Sequence, residues 1–398
     1  MSQDAYKVLC DQLETRGVRV AEVKSRLKAQ HIETPSWAYS DTGTRFGIYK
    51  QAGAARTLYE KIEDAALVNR LTGVARTMAV HIGWDQSDDW LGVKQYAESQ
   101  GLKLGSVNPN VFQGQDYKFG AFTSEEARVR ERALQAHFEC IDIMRTIGSE
   151  VLSVWYGDGT NYPGQGDFRR RKRHLLACLR EVYSRLQGKE TILVEYKFFE
   201  PAFYHTDIAD WGLAYLLASN LGEQAKVLVD LGHHAHGVNI EHIVAVLLDE
   251  GKLGGFHFNN RKYADDDLTV GSINPYELFL IYCELAADEV ASREVAYMVD
   301  QCHYLKPKTE EMIQTIANLQ SAYAKALIVN RTRLKEAQLG RDLVAAENEL
   351  VRAFNTDVQP LLEEVREEMG CPRDPLEAFR KGGYLEKAIQ ARSSKTAS

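Results

Sequence analysis

The chain has 398 residues, of which 44% are hydrophobic and 26% charged, the balance of a globular protein able to bury a large core. Its net charge of -8 and pI near 5.8 exclude a broad nucleic-acid surface, which needs a concentrated positive field. Six cysteines stand far apart with no CxxC pair, excluding a zinc ribbon or thioredoxin-type site, and no apolar run of eighteen residues offers a membrane span.

The N-terminal stretch MSQDAYKVLCDQLETRG is charged and helical rather than leader-like, so a cytoplasmic protein is expected. Residues 1–40 read as an amphipathic helical segment, with Val8, Leu9 and Leu13 and then Val20, Val23 and Leu27 at helical spacing. From there short apolar runs alternate with longer helical patterns. The runs are Arg45–Tyr49, Thr77–Ile82, Leu102–Val107, Val151–Trp155, Thr191–Tyr196, Val227–Leu231, Gly254–Phe258 and Val295–Val299. The helical patterns are Ala55–Leu71, Ser87–Ser99, Ser124–Ile147, Arg169–Leu186, Ile208–Leu221, Asn239–Glu250, Pro275–Ala287 and Lys308–Val329.

Eight such units over residues 41–329 predict an α/β fold, a (β/α)8 TIM barrel, close to the usual ~250 residues of that architecture. No GxGxxG follows the first run, so nothing supports a dinucleotide site. The basic run Arg169–Arg173 reads as a solvated helix face. Residues 330–398 carry no strand signal and predict a charged helical extension, Asn330–Gln359 and Leu361–Glu368, ending in a disordered-looking Arg392–Ser398. Its apolar stripe is too narrow to fold alone, so it should pack on the barrel or on another subunit.

Barrels place their chemistry at the C-terminal ends of strands. There, TILVEYK ends in Glu195 and Lys197, two apart and so on one face. VLVDLGHH ends in Asp230 and His233, GGFHFNN supplies His257, the loop after it supplies Asp265, Asp266 and Asp267, and VAYMVDQCH ends in Asp300. Each acid alone could be a helix N-cap and each histidine a satisfied core residue. Together, five of these carboxylates converging at one barrel mouth would repel by several kcal/mol unless cations neutralised them. Imidazoles among carboxylates suit Mn²⁺ or Co²⁺ better than Ca²⁺, and Mg²⁺ is compatible. The earlier runs bring His81, Trp84, Asp85, Phe112 and Trp155, with Phe46 in the first, as aromatic walls that suit a small polyol.

The combination RFGIYK, HIGWD, NPNVFQ, VWYGDG, VEYK, DLGHHAHG, GGFHFNNRKYADDD and MVDQCH, in this order from Trp37 to His303, resembles the bacterial L-rhamnose isomerases of the xylose isomerase-like superfamily. The resemblance implies a two-metal aldose-ketose isomerase working by a metal-assisted hydride shift, with side activity on D-allose and L-mannose. On it, Glu195, Asp230, His257 and Asp300 hold one divalent ion, and Asp230 bridges to a second completed by His233, Asp265 and Asp267. Asp266 is left out of that set, and His234 and His236 have no matching role. Lys197 donates to the substrate O1, and His81, oriented by Asp85, assists ring opening. Trp84, Phe46, Phe112 and Trp155 wall the pocket. Related isomerases use a C-terminal helical extension in tetramer contacts, so a homotetramer is expected.

Three rivals stand beside this reading. A ketose 3-epimerase would use one metal and paired glutamates, whereas the last strand ends in Asp300. A metal-dependent endonuclease would need a basic groove. A sugar-binding protein without chemistry would need neither Lys197 nor His81.

Overall fold

The apolar runs from Thr77 onward are buried along most of their length, which a strand tolerates only when both of its faces are covered. The computed structural model, which describes residues 2–44, 46–200 and 204–393, covers them by closing eight strands into a barrel. In chain order these are β1 (Glu33–Pro35), β2 (Thr77–Ile82), β3 (Lys103–Pro109), β4 (Val151–Val154), β5 (Thr191–Glu195), β6 (Ala225–Asp230), β7 (Leu253–Phe258) and β8 (Ala296–Val299). All neighbours are parallel, and β1 closes the ring between β8 and β2.

The crossovers are the expected helices, among them Leu58–Thr72, Ala127–Ile147, Phe168–Tyr183, Pro275–Ala287 and Lys308–Leu327. Their starts are set locally. Thr57, Asp89, Asp167, Asp210, Asn239 and Asn274 each accept a backbone N–H of the first turn, satisfying a donor with no partner inside the helix. Thus many acids at element boundaries are caps, and those at the strand mouths described below are a different population.

The first expected strand is corrected. Arg45 lies outside the described residues, and the rest of Arg45–Tyr49 contributes to a small antiparallel hairpin, Thr42–Thr44 with Gly47–Tyr49, outside the barrel. The true β1 is only Glu-Thr-Pro and carries no apolar run. Its Glu33 is buried and accepts from the Ser106 amide at 3.0 Å and from the Ser106 hydroxyl. The barrel therefore begins before residue 41.

The C-terminal extension is helical, as expected, but Asn330–Gln359 is broken into Arg331–Leu339 and Leu343–Phe354. Arg341 turns the chain with φ of 56° and Asp342 caps the second helix. Gln359–Glu368 packs against the first two helices, Ser2–Thr15 and Val20–Ala29. The disordered-looking tail also needs correction at its start. Arg392 lies in the helix Tyr384–Ser393, buried, with its guanidinium 2.9 Å from Asp64 Oδ1, whereas residues 394–398 lie outside the described residues.

Candidate metal centre

Four consecutive strands, β5 to β8, end in the residues that the sequence singles out. Glu195 closes β5, Asp230 closes β6, His257 sits one residue from the end of β7, and Asp300 follows β8. Because the strands are parallel and in register, these side chains meet at one mouth. His257 Nδ1 lies 3.1 Å from Glu195 Oε1, 3.8 Å from Asp230 Oδ2 and 3.7 Å from Asp300 Oδ2. His233 Nε2 lies 3.9 Å from Asp230 Oδ1 and 3.5 Å from Asp265 Oδ2.

Two donor groups result, Glu195, Asp230, His257 and Asp300 in one and Asp230, His233 and Asp265 in the other, each with ligand atoms within 4.8 Å of one another. Asp230 belongs to both. Asp267, with φ of 46°, lines the same cavity but stands outside these tight groups. Asp266 accepts the Tyr263 amide at 2.6 Å.

Surrounding groups orient the donors. His233 Nδ1 lies 2.9 Å from the Tyr196 carbonyl, which leaves Nε2 for the cavity. Asn259 Nδ2 donates to both Asp230 oxygens, at 2.9 and 3.1 Å, and Trp37 Nε1 donates to Asp300 Oδ1 at 2.7 Å. Gly232 donates its N–H to Asp230 Oδ1 at 2.6 Å, and a Cβ there would stand 2.7 Å from Asp265 Oδ1. Only glycine lets the backbone come this close.

The electrostatics describe a cluster that wants positive charge. Burial raises the Asp230 carboxyl to about 7 and pushes Asp267 and Asp300 upward. Burial would depress His233 and His257, but the carboxylates facing them outweigh it and raise them to about 9 and about 10. Asp265 is held low despite burial by His233 and Lys197, and its Oδ1 is buried with no hydrogen-bond partner among the described residues. Mixed oxygen and imidazole donors, a shared carboxylate and an orphaned carboxylate oxygen fit divalent cations.

Lys197 lies just beyond β5. Its Nζ is 2.7 Å from Asp265 Oδ2, 2.9 Å from Glu200 Oε2 and 5.1 Å from the Trp155 ring centroid. Burial would lower the ammonium pKa, but Asp265 and Glu200 outweigh it, so the lysine is held charged. Opposite stand His81 and Trp84, stacked with centroids 3.7 Å apart, and Phe112 in edge contact with Trp155 at 4.8 Å. Together these groups enclose about 430 Å³, which is room for a monosaccharide.

Two expected roles are corrected. Phe46 is 77% exposed on the outer hairpin and does not line this cavity, because the strand expected to carry it is not a barrel strand. Asp85 does not orient the His81 ring. It accepts the His81 backbone amide at 2.9 Å, pairs with Lys61 at 2.6 Å and accepts from Ser36. Burial pushes the His81 imidazole down to about 3, and its Nδ1 is buried with no partner among the described residues. His234 is occupied by the Tyr196 hydroxyl at 2.6 Å, while exposed His236 lines a separate surface cavity.

Sequence reasoning missed Trp37, Glu200, Asn259 and Cys302, which line the cavity or hold its ligands. Asn259 and Glu200 had signals. Asn259 is two residues after His257, and Glu200 is three after Lys197 with opposite charge.

A parallel barrel with a carboxylate and imidazole cluster at its C-terminal mouth places a candidate cation site where such barrels carry their chemistry. No family model matches the chain. It is 40% identical over 399 residues to a probable sugar isomerase of Mesorhizobium japonicum, covering 98% of this chain and 93% of that one. It is 40% identical over 387 residues to a probable sugar isomerase of Rhizobium meliloti, covering 95% and 90%. A xylose isomerase domain protein from Alicyclobacillus acidocaldarius superposes with a TM-score of 0.52 at 15% identity, over 75% of this chain and 99% of that one, a likeness of fold alone. The chain belongs to the sugar isomerase family, on a xylose isomerase-like barrel. Among the described residues no helix is long and apolar enough to cross a membrane.

Proposed function

We propose that the protein is a two-metal aldose-ketose isomerase interconverting L-rhamnose and L-rhamnulose, with side activity on D-allose/D-allulose and L-mannose/L-fructose. The observation that carries this reading is the pair of donor groups sharing Asp230, with charged Lys197 beside the second of them. A ketose 3-epimerase needs one metal and opposed bases, and the second donor group weighs against it.

Glu195, Asp230, His257 and Asp300 would hold one cation, and Asp230, His233 and Asp265, joined by Asp267, the other. Mn²⁺ suits this donor set best, with Co²⁺ or Mg²⁺ as substitutes. Bound there, divalent ions supply Lewis acidity toward neighbouring sugar oxygens. Lys197 donates from Nζ to O1 of the open-chain sugar, and because Asp265 and Glu200 keep it charged it acts as a fixed donor rather than a base. Neutral His81 offers a ring nitrogen that accepts the anomeric hydroxyl proton as the C1–O5 bond breaks and returns it to the ring oxygen O5. Trp84, Phe112 and Trp155 stack on C–H faces and exclude water while hydrogen passes between C2 and C1. An apolar contact to the C6 methyl of L-rhamnose is worth only about 1–3 kcal/mol, hence the tolerance for other aldoses.

A homotetramer belongs to the same reading, supported by the exposed apolar side chains Leu339, Leu343 and Val344 on the C-terminal extension. Ketose formation from L-rhamnose by metal-loaded protein tests the proposal. Retained sugar binding with no turnover under Mn²⁺, Co²⁺ or Mg²⁺ would reduce the protein to a sugar-binding one.

A further inference from the structure

Arg171 sits in the middle of the basic run that reads from sequence as a solvated helix face, yet it is only 3% exposed while its neighbours in the run are exposed. Its guanidinium reaches four residues in three connections. Nε lies 3.1 and 3.2 Å from the two Asp207 oxygens and Nη2 lies 2.6 Å from Asp207 Oδ2. Nη2 also donates to Thr123 Oγ1 at 2.7 Å and to the Gly159 carbonyl at 3.2 Å, and Nη1 reaches the Phe119 carbonyl at 3.4 Å.

The residues on either side of Asp207 hold the backbone of Lys197. The residue before it, Thr206, donates its hydroxyl to the Lys197 carbonyl, and the residue after it, Ile208, accepts the Lys197 amide at 3.0 Å. The strand Tyr204–Thr206 pairs on one side with Gly159–Thr160 and on the other with Phe199–Glu200, which presents Glu200 to Lys197 Nζ. Both backbone polar groups of the lysine and one of its two ion-pair partners therefore depend on a short three-stranded sheet and the two residues that follow its strand Tyr204–Thr206. That sheet is fastened to the helix Phe168–Tyr183 through Asp207 and Gly159.

We propose that Arg171 is a positioning residue for Lys197, fixing the height and direction of its ammonium over the substrate carbonyl. The proposal rests on the catalytic role given to Lys197 above. A guanidinium is needed because its planar fork meets Asp207, Thr123, Gly159 and Phe119 at once, which a single ammonium cannot do. A displacement of about 1 Å at such a group can cost on the order of a hundredfold in rate. The loss falls on kcat rather than KM when the interaction is made only in the transition state.

The test uses the full-length, Mn²⁺-loaded protein with Arg171→Met, Arg171→Lys and Asp207→Asn. Arg145→Met serves as a control that breaks a comparable pair, Arg145 with Glu190, on another helix. Turnover of L-rhamnose and labelling of Lys197 by trinitrobenzenesulfonate, mapped by mass spectrometry, are read together. Arg171→Met should lower kcat at least about tenfold at a KM within about twofold and label Lys197 faster, Arg171→Lys should recover part of both, and Arg145→Met should change neither. Unchanged kcat and labelling in Arg171→Met overturn the proposal, as does an equal kcat loss in Arg145→Met. Should Arg171→Met not fold, Asp207→Asn decides by the same two readouts. Faster Lys197 labelling in a protein whose wild type isomerises no aldose would leave the positioning intact and defeat the isomerase reading instead.

Discussion

Lys197 keeps its charge inside a half-aromatic cavity because two carboxylates face it, and this sets what its removal should do. Lys197→Met removes a donor to the developing oxyanion, so kcat should fall by at least about a hundredfold while sugar affinity stays within a few-fold. Calorimetric titration beside turnover measures both, and unchanged kcat would refute the role. A second prediction concerns His137, which lies 2.9 Å from the Tyr156 hydroxyl and stacks on Phe122 far from the metal centre. Burial pushes its imidazole down to about 4, so the folded state resists a proton that the unfolded chain accepts near 6.5. Its contribution is whole above pH 6.5 and is lost as pH falls toward 4, up to about 3 kcal/mol. Denaturant melts of wild type and His137→Gln across that window should show a shallower acid limb for the variant. At this scale the sequence disclosed Glu195, Asp230, His233, His257 and Asp300 because parallel strands deliver their last residues to one place. It misled on Phe46 and Asp85, because a ring's wall position and an acid's hydrogen-bond partner depend on contacts that no spacing encodes.

Strands β2 to β8 were legible because each is an apolar run bounded by turns, and their helices because the caps are written in the chain. Strand β1 was not, since three residues ending in proline give no periodicity and its identity comes from a tertiary contact. Glu33 is buried where a Cβ at Gly105 would stand 1.5 Å from its Oε2. Gly105→Ala must therefore displace that carboxylate and its bonds to Ser106, and should destabilise the barrel by about 1–3 kcal/mol in urea unfolding. A change below about 0.5 kcal/mol would mean that β1 is held in some other way. Arg171 shows the same limit, since a basic run has one appearance in sequence whether or not its central member turns inward.

Across the whole molecule, carboxylates and imidazoles from four strand ends and two following loops are drawn to one mouth, so cation binding and folding should be linked. A cation that binds only the folded state adds about 4 kcal/mol at a thousandfold excess over its Kd. Stripping with a chelator should therefore lower the melting temperature by at least about 5 °C, and re-addition of Mn²⁺ should restore it. An unchanged melting temperature after verified metal removal would contradict the convergent cluster as a cation site. The most direct measurement of the central claim is product analysis with chelator-stripped protein, with and without Mn²⁺, on L-rhamnose, D-allose and D-fructose in parallel. L-Rhamnulose is expected from L-rhamnose only when the metal is restored, with slower conversion of D-allose. No aldose-ketose conversion under any divalent metal, with a C3 epimer formed from D-fructose instead, would contradict that claim.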